Sequence, residues 1–398
     1  MSYVDVISIL LGYFLGSLNP SYLLGKLVRG IDLREHGSGN LGTMNCAHVL
    51  GWRWAWIPAV YDPLKGIIAI WLSGKIGATP LISYISGLCA IAGHRFPFYL
   101  GFRGGKGVAA AVGILLRNIF LMIKENQLPY VEISMLVPFV LCLISITHSG
   151  AITWAFFLPL LLYDIIFWKP SSLLLIFAAI VIAYILIMSI YEIIDRNLLS
   201  FADLSAHLKP WRFYLRPFAL LFILFYELFG KVFAVTLIGA VTICFLIMEA
   251  VRLLHSGVNI FLFKNFVLGF KETEKHRFSS MTLFLISGTI LFLLFEKEIA
   301  YTIFVYLIFG DMFAKYFGLK FGKRKLFHKT VEGFLFYVSS CIAIGTVLLH
   351  YLPVKVIEIL LISFVMGLIE VLPLGIDDNL STSIIGGIVY YLLKKGGV

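Results

Sequence analysis

Four short clusters in the first half of the chain combine glycine with polar or basic side chains. They are Gly16-Ser17-Leu18-Asn19-Pro20-Ser21, Gly37-Ser38-Gly39-Asn40-Leu41-Gly42-Thr43-Met44-Asn45, Asp62-Pro63-Leu64-Lys65-Gly66, and a stretch running from Gly93-His94-Arg95 to Arg103-Gly104-Gly105-Lys106-Gly107. Glycines let the backbone reach positive φ, so successive N–H groups can converge on an anion. Lys106 directly precedes an apolar run, and a phosphate there meets a positive side chain and a helix N-terminus together. Asp62 and Lys65 share one helical face at i, i+3, where they pair or are parted by a ligand. Each cluster alone has a plainer reading: Gly12 and Gly16 form a G-x-x-x-G packing pattern, and Lys65 can snorkel to headgroups. Four such clusters in one half point to a site that holds phosphate.

The second half has a different chemistry, rich in carboxylates. Glu249 and Arg252 are followed by Glu274-Lys275-His276-Arg277 and Gly310-Asp311, then by the basic loop Gly322-Lys323-Arg324-Lys325 and by Lys329, Glu332 and Gly333. Glu370 precedes Gly375-Ile376-Asp377-Asp378-Asn379. Like charges this close favour a bound cation or a shared proton. Hard oxygen donors such as Asp311, Glu370, Asp377 and Asp378 suit Mg²⁺ bridging to nucleotide phosphates. A helix N-cap by Asp377 or Asp378 is the structural alternative. Gly318 to Lys323 is no Walker motif, because its spacing is short and no Ser or Thr follows the lysine.

These residues must be positioned by membrane helices. The chain is 60% hydrophobic and only 14% charged, with a mean hydropathy of +0.95, whereas soluble domains carry roughly a quarter charged residues. Apolar runs long enough to cross a bilayer, about 20 residues each, recur along the chain. The expected fold is an all-α integral membrane protein with about fourteen transmembrane helices in two blocks of about seven. The polar stretch 196–212 reads as a cytoplasmic linker between domains at 1–195 and 213–398. The five dispersed cysteines form no C-x-x-C pair and read as small hydrophobes. The N-terminal run lacks a preceding basic region and reads as a retained first helix.

A net charge of +10 raises the question of nucleic acid. The basic residues, however, sit in short loops between apolar runs, where they report topology or phosphate-bearing partners; no nucleic-acid partner is expected. Lys26, Arg29, Arg34 and Arg53 mark the first loop and Arg95, Arg103 and Lys106 the third, while the second has little beyond Lys75. The positive-inside rule then puts the N-terminus outside and every polar cluster of both halves on the cytoplasmic side of the cell (inner) membrane.

The order GS-x-x-P, GSGN-x-G-x-x-N, D-x-x-KG, GH-x-FP and F-R-GGKG over residues 1–195 closely resembles the bacterial acyl-phosphate:glycerol-3-phosphate acyltransferases. The resemblance implies acyl transfer from acyl phosphate to the 1-hydroxyl of glycerol 3-phosphate, giving lysophosphatidic acid for phospholipid biosynthesis, with no cofactor. It implies roles for Ser17, Lys65, His94 and Lys106 in catalysis, His94 as the proton handler. Gly37, Ser38, Gly39, Asn40, Asn45, Asp62, Arg103, Gly104, Gly105 and Gly107 would bind substrate. The chain departs from the family at Thr43-Met44, and Ile194 replaces the histidine of a closing basic segment.

Residues 213–393 resemble the dolichol, phytol and CTP-dependent diacylglycerol kinases through E-x-x-R, GD-x-x-A-x-x-x-G-x-x-x-G, K-x-x-EG and a glutamate followed by DDNL. That resemblance implies Mg²⁺ and CTP, a lipid alcohol (diacylglycerol or polyprenol) as acceptor, and catalytic roles for Asp311 and Asp378. Glu274, Arg277, Lys323, Lys329 and Glu332 would bind substrate, and Asp311, Glu370, Asp377 and Asp378 the metal. The whole chain then reads as a bifunctional lipid-synthesis enzyme in contact with membrane lipids. Two alternatives stay open: an active kinase-like half beside a degraded acyltransferase half, and a multi-pass transporter.

Overall fold

The computed structural model describes residues 2–200, 210–265 and 274–396; positions 201–209 of the expected linker lie outside them. The described chain is almost wholly helical, an all-α integral membrane protein. Six helices are long and apolar enough to cross a bilayer, or seven if one bent pair counts as a single span. The remaining runs counted in the sequence fall on helices that are shorter or more polar, such as Pro80–Arg95 and Ser280–Leu294.

Two compact units emerge from the contacts: residues 1–130 with 150–196, and residues 131–149 with 197–398. The first contains α1 (Tyr3–Ser17), α2 (Pro20–Leu24), α3 (Thr43–Leu50), α4 (Trp52–Lys75), α5 (Pro80–Arg95) and α6 (Val108–Lys124). Helix α7 (Tyr130–Thr147) falls in the second unit, although the sequence count groups it with the first half. Helices α8 (Gly150–Trp168) and α9 (Ser172–Asp195) complete the first unit.

Small residues set its closest packing. A Cβ added at Gly12 would overlap the Ser86 carbonyl, and one at Gly16 the Ala90 carbonyl, so the G-x-x-x-G face of α1 lies directly on α5. Pro20 cannot continue α1, because it lacks an N–H. The chain therefore bends by 40° between α1 and the segment Pro20–Arg29. That break leaves the last carbonyls of α1 without helical partners, at the place where the polar side chains gather.

The second unit contains α10 (Pro210–Leu215), α11 (Leu220–Leu254), α12 (Ser256–Asn265), α13 (Ser280–Leu294), α14 (Lys297–Phe321), α15 (Val331–Tyr351), α16 (Val356–Val371) and α17 (Asp378–Lys395). At about 1.5 Å per residue, α11 would be far longer than a bilayer core of about 30 Å. It is broken at Gly230, whose φ of 84° is non-helical, between the two apolar runs that the sequence separates there. One departure from all-helix is an antiparallel hairpin, β1 (Lys325–Leu326) with β2 (Lys329–Thr330). Phe327 adopts a φ of 52° in its turn, and the hairpin carries Lys329 back toward the helices. Gly318, Gly322 and Gly333 crowd around Thr330, so the glycine spacing of α14 serves close packing of this corner.

Candidate functional site

In the first unit three titratable side chains converge on the break after α1. Lys65, from the middle of α4, has no exposed side-chain surface. Its Nζ donates to Asp62 Oδ1 at 2.8 Å, to the Gly16 carbonyl at 3.3 Å and to the Leu18 carbonyl at 3.5 Å. It also touches His94 Nδ1, and that nitrogen lies 3.5 Å from Asp62 Oδ1. The carbonyls that Pro20 strands at the end of α1 are thus met by an ammonium group, which also suits the negative end of the helix dipole. A buried ionised lysine is costly unless its donors are satisfied. Here a carboxylate and two carbonyls meet it, so Lys65 is no snorkelling lysine.

The glycine loop before α6 closes over the far side of His94. The N–H of Gly105 donates to the His94 carbonyl at 3.1 Å, and that of Gly104 to the Arg95 carbonyl at 3.0 Å. A Cβ at Gly105 would overlap His94 Nε2, and one at Gly104 the His94 carbonyl. Only glycine allows this backbone so near the imidazole. Gly107 takes a φ of 72° immediately before the first turn of α6. Lys106 pairs with Glu192 of α9 at 2.7 Å, while its carbonyl accepts from the Tyr184 hydroxyl at 2.6 Å. Arg103 is exposed.

The Gly37–Asn45 segment is shaped mainly by Asn45. Its carboxamide donates to the Leu33 and His36 carbonyls and accepts from the Ser38 N–H at 2.8 Å. The side chain is buried and fully engaged, so it positions the loop and leaves Gly37 and Ser38 exposed, with Gly39 and Asn40 partly so. Arg34 fastens the same loop to the next one: it chelates Asp32, with Nη2 at 2.7 Å, and donates to the Leu100 carbonyl at 2.9 Å. The Arg34 hydrogen bonds hold the Asp32 carboxyl below its ordinary pKa despite some burial. Ser17 is buried and donates to the Tyr13 carbonyl at 2.8 Å, and its own carbonyl accepts from Tyr99 at 2.9 Å.

Asp62, Lys65, His94, Ser17 and the Gly104–Gly107 loop are therefore gathered, as the clusters suggested. Glu192, Tyr184, Tyr99 and the Asp32–Arg34 pair were not singled out as site residues. The sequence signal for Glu192 is a carboxylate that, with Asp195, ends an otherwise apolar run.

Comparison with known proteins bears on the first half of the chain, which includes α7 as well as the first unit. Residues 6–199 match the glycerol-3-phosphate acyltransferase family. Curated relatives include a glycerol-3-phosphate acyltransferase of Shouchella clausii, 42% identical over 118 residues that cover 29% of this chain and 58% of the relative. One of Streptococcus thermophilus is 46% identical over 108 residues, covering 27% and 51%. The chain spans about half the length of the curated relatives it matches. Among solved structures, the crystal structure of PlsY (YgiH), an integral membrane glycerol 3-phosphate acyltransferase, in its glycerol 3-phosphate form is 26% identical. That match covers 49% of this chain and 92% of that one, with a TM-score of 0.37.

The second unit builds a separate cluster, in which cations already meet the carboxylates. Asp311 is ion-paired with Arg216 and, at 3.0 Å, with Lys315. Lys329 bridges Glu370 and Asp378, the latter at 2.7 Å. Burial pulls the Lys329 ammonium down, but the two carboxylates outweigh it and hold its pKa above the ordinary lysine value. Arg216 also donates to Asn379 at 2.8 Å, which ties the Asp311 pair to the start of α17. Asp377 accepts from the backbone and side-chain N–H groups of Asn379 at 3.0 and 2.9 Å, so it serves as the helix cap. A cavity of about 490 Å³ opens here, lined by Lys315, Lys325, His328, Lys329 and Glu370.

The other residues of this half that the sequence nominated are turned to holding loops. Glu332 accepts from the N–H groups of Lys323 and Arg324 at 3.1 and 3.3 Å, and both basic side chains are exposed. Glu274 accepts from the Ser280 N–H and hydroxyl. Arg277 contributes its carbonyl to Arg252, at 2.8 Å. Arg252 is fully buried against Glu249, and Glu249 also accepts from Ser279 and Thr282.

Proposed function

We propose that the first unit transfers an acyl group from acyl phosphate to the 1-hydroxyl of glycerol 3-phosphate, releasing inorganic phosphate and lysophosphatidic acid. One observation carries this reading beyond the family match: the wholly buried Lys65 gathered with Asp62 and His94, under a glycine loop that only an unsubstituted backbone could form. An acyl phosphate is already activated, so no covalent nucleophile on the protein is needed. What the site must do is hold two phosphates, align the hydroxyl and stabilise developing charge. Lys106 and the Lys106–Gly107 backbone at the start of α6 supply a phosphate cradle, held in place by the Gly104 and Gly105 N–H groups on the Arg95 and His94 carbonyls, with Glu192 exchanged for substrate. The Gly37–Asn40 loop, set by Asn45, supplies a second through its Ser38 and Asn40 side chains. The hydroxyl oxygen attacks the acyl carbon, the carbon–oxygen bond to phosphate breaks, and His94, held on its Nδ1 side by Asp62 and Lys65, takes up the hydroxyl proton. No cofactor enters this scheme.

We further propose that residues 213–398 transfer phosphate from CTP to a lipid alcohol, diacylglycerol or polyprenol. Supporting this is the Lys329 bridge between Glu370 and Asp378 beside a cavity with a basic wall. The all-oxygen donor set fits Mg²⁺, which Asp311, Glu370 and Asp378 would hold and which would neutralise phosphate charge when bound. Lys315, Lys325 and Lys329 would meet the triphosphate. Loop charge supports an N-terminus outside and both sites facing the cytoplasm from the inner membrane.

The test is the purified full chain in bilayers, given acyl phosphate with glycerol 3-phosphate and, separately, CTP and Mg²⁺ with diacylglycerol or polyprenol. Lysophosphatidic acid formed equally well by Lys106→Ala would remove the first assignment. Lipid phosphorylation that survives joint replacement of Asp377 and Asp378 by asparagine would remove the second.

A further inference from the structure

The first unit carries another basic pocket, at the other end of the same helices. Ten residues separate Lys65 from Lys75 along α4 and His94 from Tyr84 along α5, about 15 Å of helix in each case. Arg117 lies a similar distance along α6 from Lys106. Where these three helices end away from the acyl-transfer cluster, a cavity of about 440 Å³ is lined by Trp71, Lys75, Ser83, Tyr84 and Arg117. Its two cations have no carboxylate within ion-pair distance among the described residues, in contrast with Lys65, Lys106, Lys315 and Lys329.

Arg117 is nonetheless fixed in place. It donates to the Tyr84 hydroxyl at 2.9 Å and to Asn118 Oδ1 at 3.4 Å, and Tyr84 in turn donates to Asn118 Oδ1 at 3.1 Å. The guanidinium lies over the Tyr84 ring, 5.2 Å from its centroid, and Tyr84 itself stacks on Phe177. Lys75 projects from the last turn of α4 near the Trp71 ring. A charged residue in an apolar helix is expensive and is a functional hypothesis by default. A lysine and a tryptophan at a helix end mark the depth of lipid headgroups.

We propose that this pocket binds a phosphate-bearing anion, the headgroup of an anionic phospholipid, at the membrane surface opposite the acyl-transfer site. Arg117 and Lys75 clamp the phosphate, the buried Ser83 hydroxyl stands at the wall to donate to it, and Trp71 flanks the glycerol and upper chain. This site is distinct from the substrate phosphates of the Gly104–Gly107 loop.

The experiment is native mass spectrometry of the full chain released from detergent, titrated with phosphatidylglycerol or phosphatidylcholine, with and without millimolar inorganic phosphate. Wild type should retain one phosphatidylglycerol in preference to phosphatidylcholine. Lys75→Ala and Arg117→Gln should each weaken that binding about tenfold, the loss of one charge-assisted hydrogen bond, and Arg117→Lys should recover part of it. Displacement by inorganic phosphate would show that the phosphate group alone is recognised. Persistence would show that the pocket reads the lipid; either result supports the anion site. Equal retention of the two lipids, or unchanged binding in Lys75→Ala with an unchanged melting temperature, would overturn it. Lys75 is exposed at a helix end, so that variant tests the proposal even if Arg117→Gln fails to fold.

Discussion

Lys65 and Lys329 both stand between groups of opposite polarity, yet the two environments ask different things of them. Lys65 has no exposed side-chain surface, and two of its partners are main-chain carbonyls freed by a helix break. Lys329 is about a quarter exposed, comes from a hairpin, and its partners are two carboxylates at the edge of a cavity. The first lysine is part of the wall that sets a histidine. The second is a removable counter-ion, suited to exchange its carboxylates for phosphate and a metal.

Substitution should separate these roles. Lys65→Met should show the largest effect. It strands a buried carboxylate, a change worth roughly 3–5 kcal/mol, so the melting temperature and acyl transfer should fall together. Lys329→Met should lower the melting temperature less, because Lys329 is about a quarter exposed and its second partner Asp378 is more exposed still, although Glu370 is buried, while nucleotide-dependent lipid phosphorylation is lost. Equal destabilisation by the two substitutions would erase the distinction. Next in size, Lys106→Ala should raise the apparent KM for a phosphate substrate about tenfold or more with little change in stability; a change confined to kcat would place Lys106 outside the phosphate cradle.

Acidification gives the smallest effect. Because the Asp32 pKa is lowered by Arg34, the pair stabilises the 32–42 loop fully above the ordinary aspartate value near 3.8 and loses that contribution as pH falls through the depressed folded value. Hydrogen exchange of the Ser38 amide, which Asn45 holds, should speed up in that acidic window in wild type. In Asp32→Asn this acid-dependent step should be missing.

Much of this was legible in the residues, for reasons that differ between the units. Asp62 and Lys65 at i, i+3 and the paired Gly104 and Gly105 each have a local physical meaning and point to the cluster found around His94, whereas the first apolar run reads as continuous through Pro20 and hides the break there. Asn45 was harder to place. A polar residue beside a glycine loop looks like a ligand for substrate, and only the loop's folded path shows its carboxamide spent on Leu33, His36 and Ser38. Glu332 follows the same logic, since its partners are the N–H groups of Lys323 and Arg324, and backbone groups carry no side-chain identity for a sequence to reveal; Arg277 engages Arg252 through its own carbonyl, which no side chain announces. The Glu192 partner of Lys106 was invisible because its approach depends on how α9 packs against α6. The break in α11 could be anticipated from Gly230 between two apolar runs. Assignment of α7 to the second unit could not, because its apolar face reads the same against either set of helices.

The account rests on a buried Lys65–Asp62–His94 cluster that serves acyl transfer. The most direct test is lysophosphatidic acid formation from acyl phosphate and glycerol 3-phosphate by the full chain in nanodiscs, comparing wild type with His94→Gln. The account predicts product from wild type and a loss of about 100-fold or more in kcat for the variant, at an unchanged melting temperature. Product formed at the wild-type rate by His94→Gln, or none formed by wild type, would contradict it.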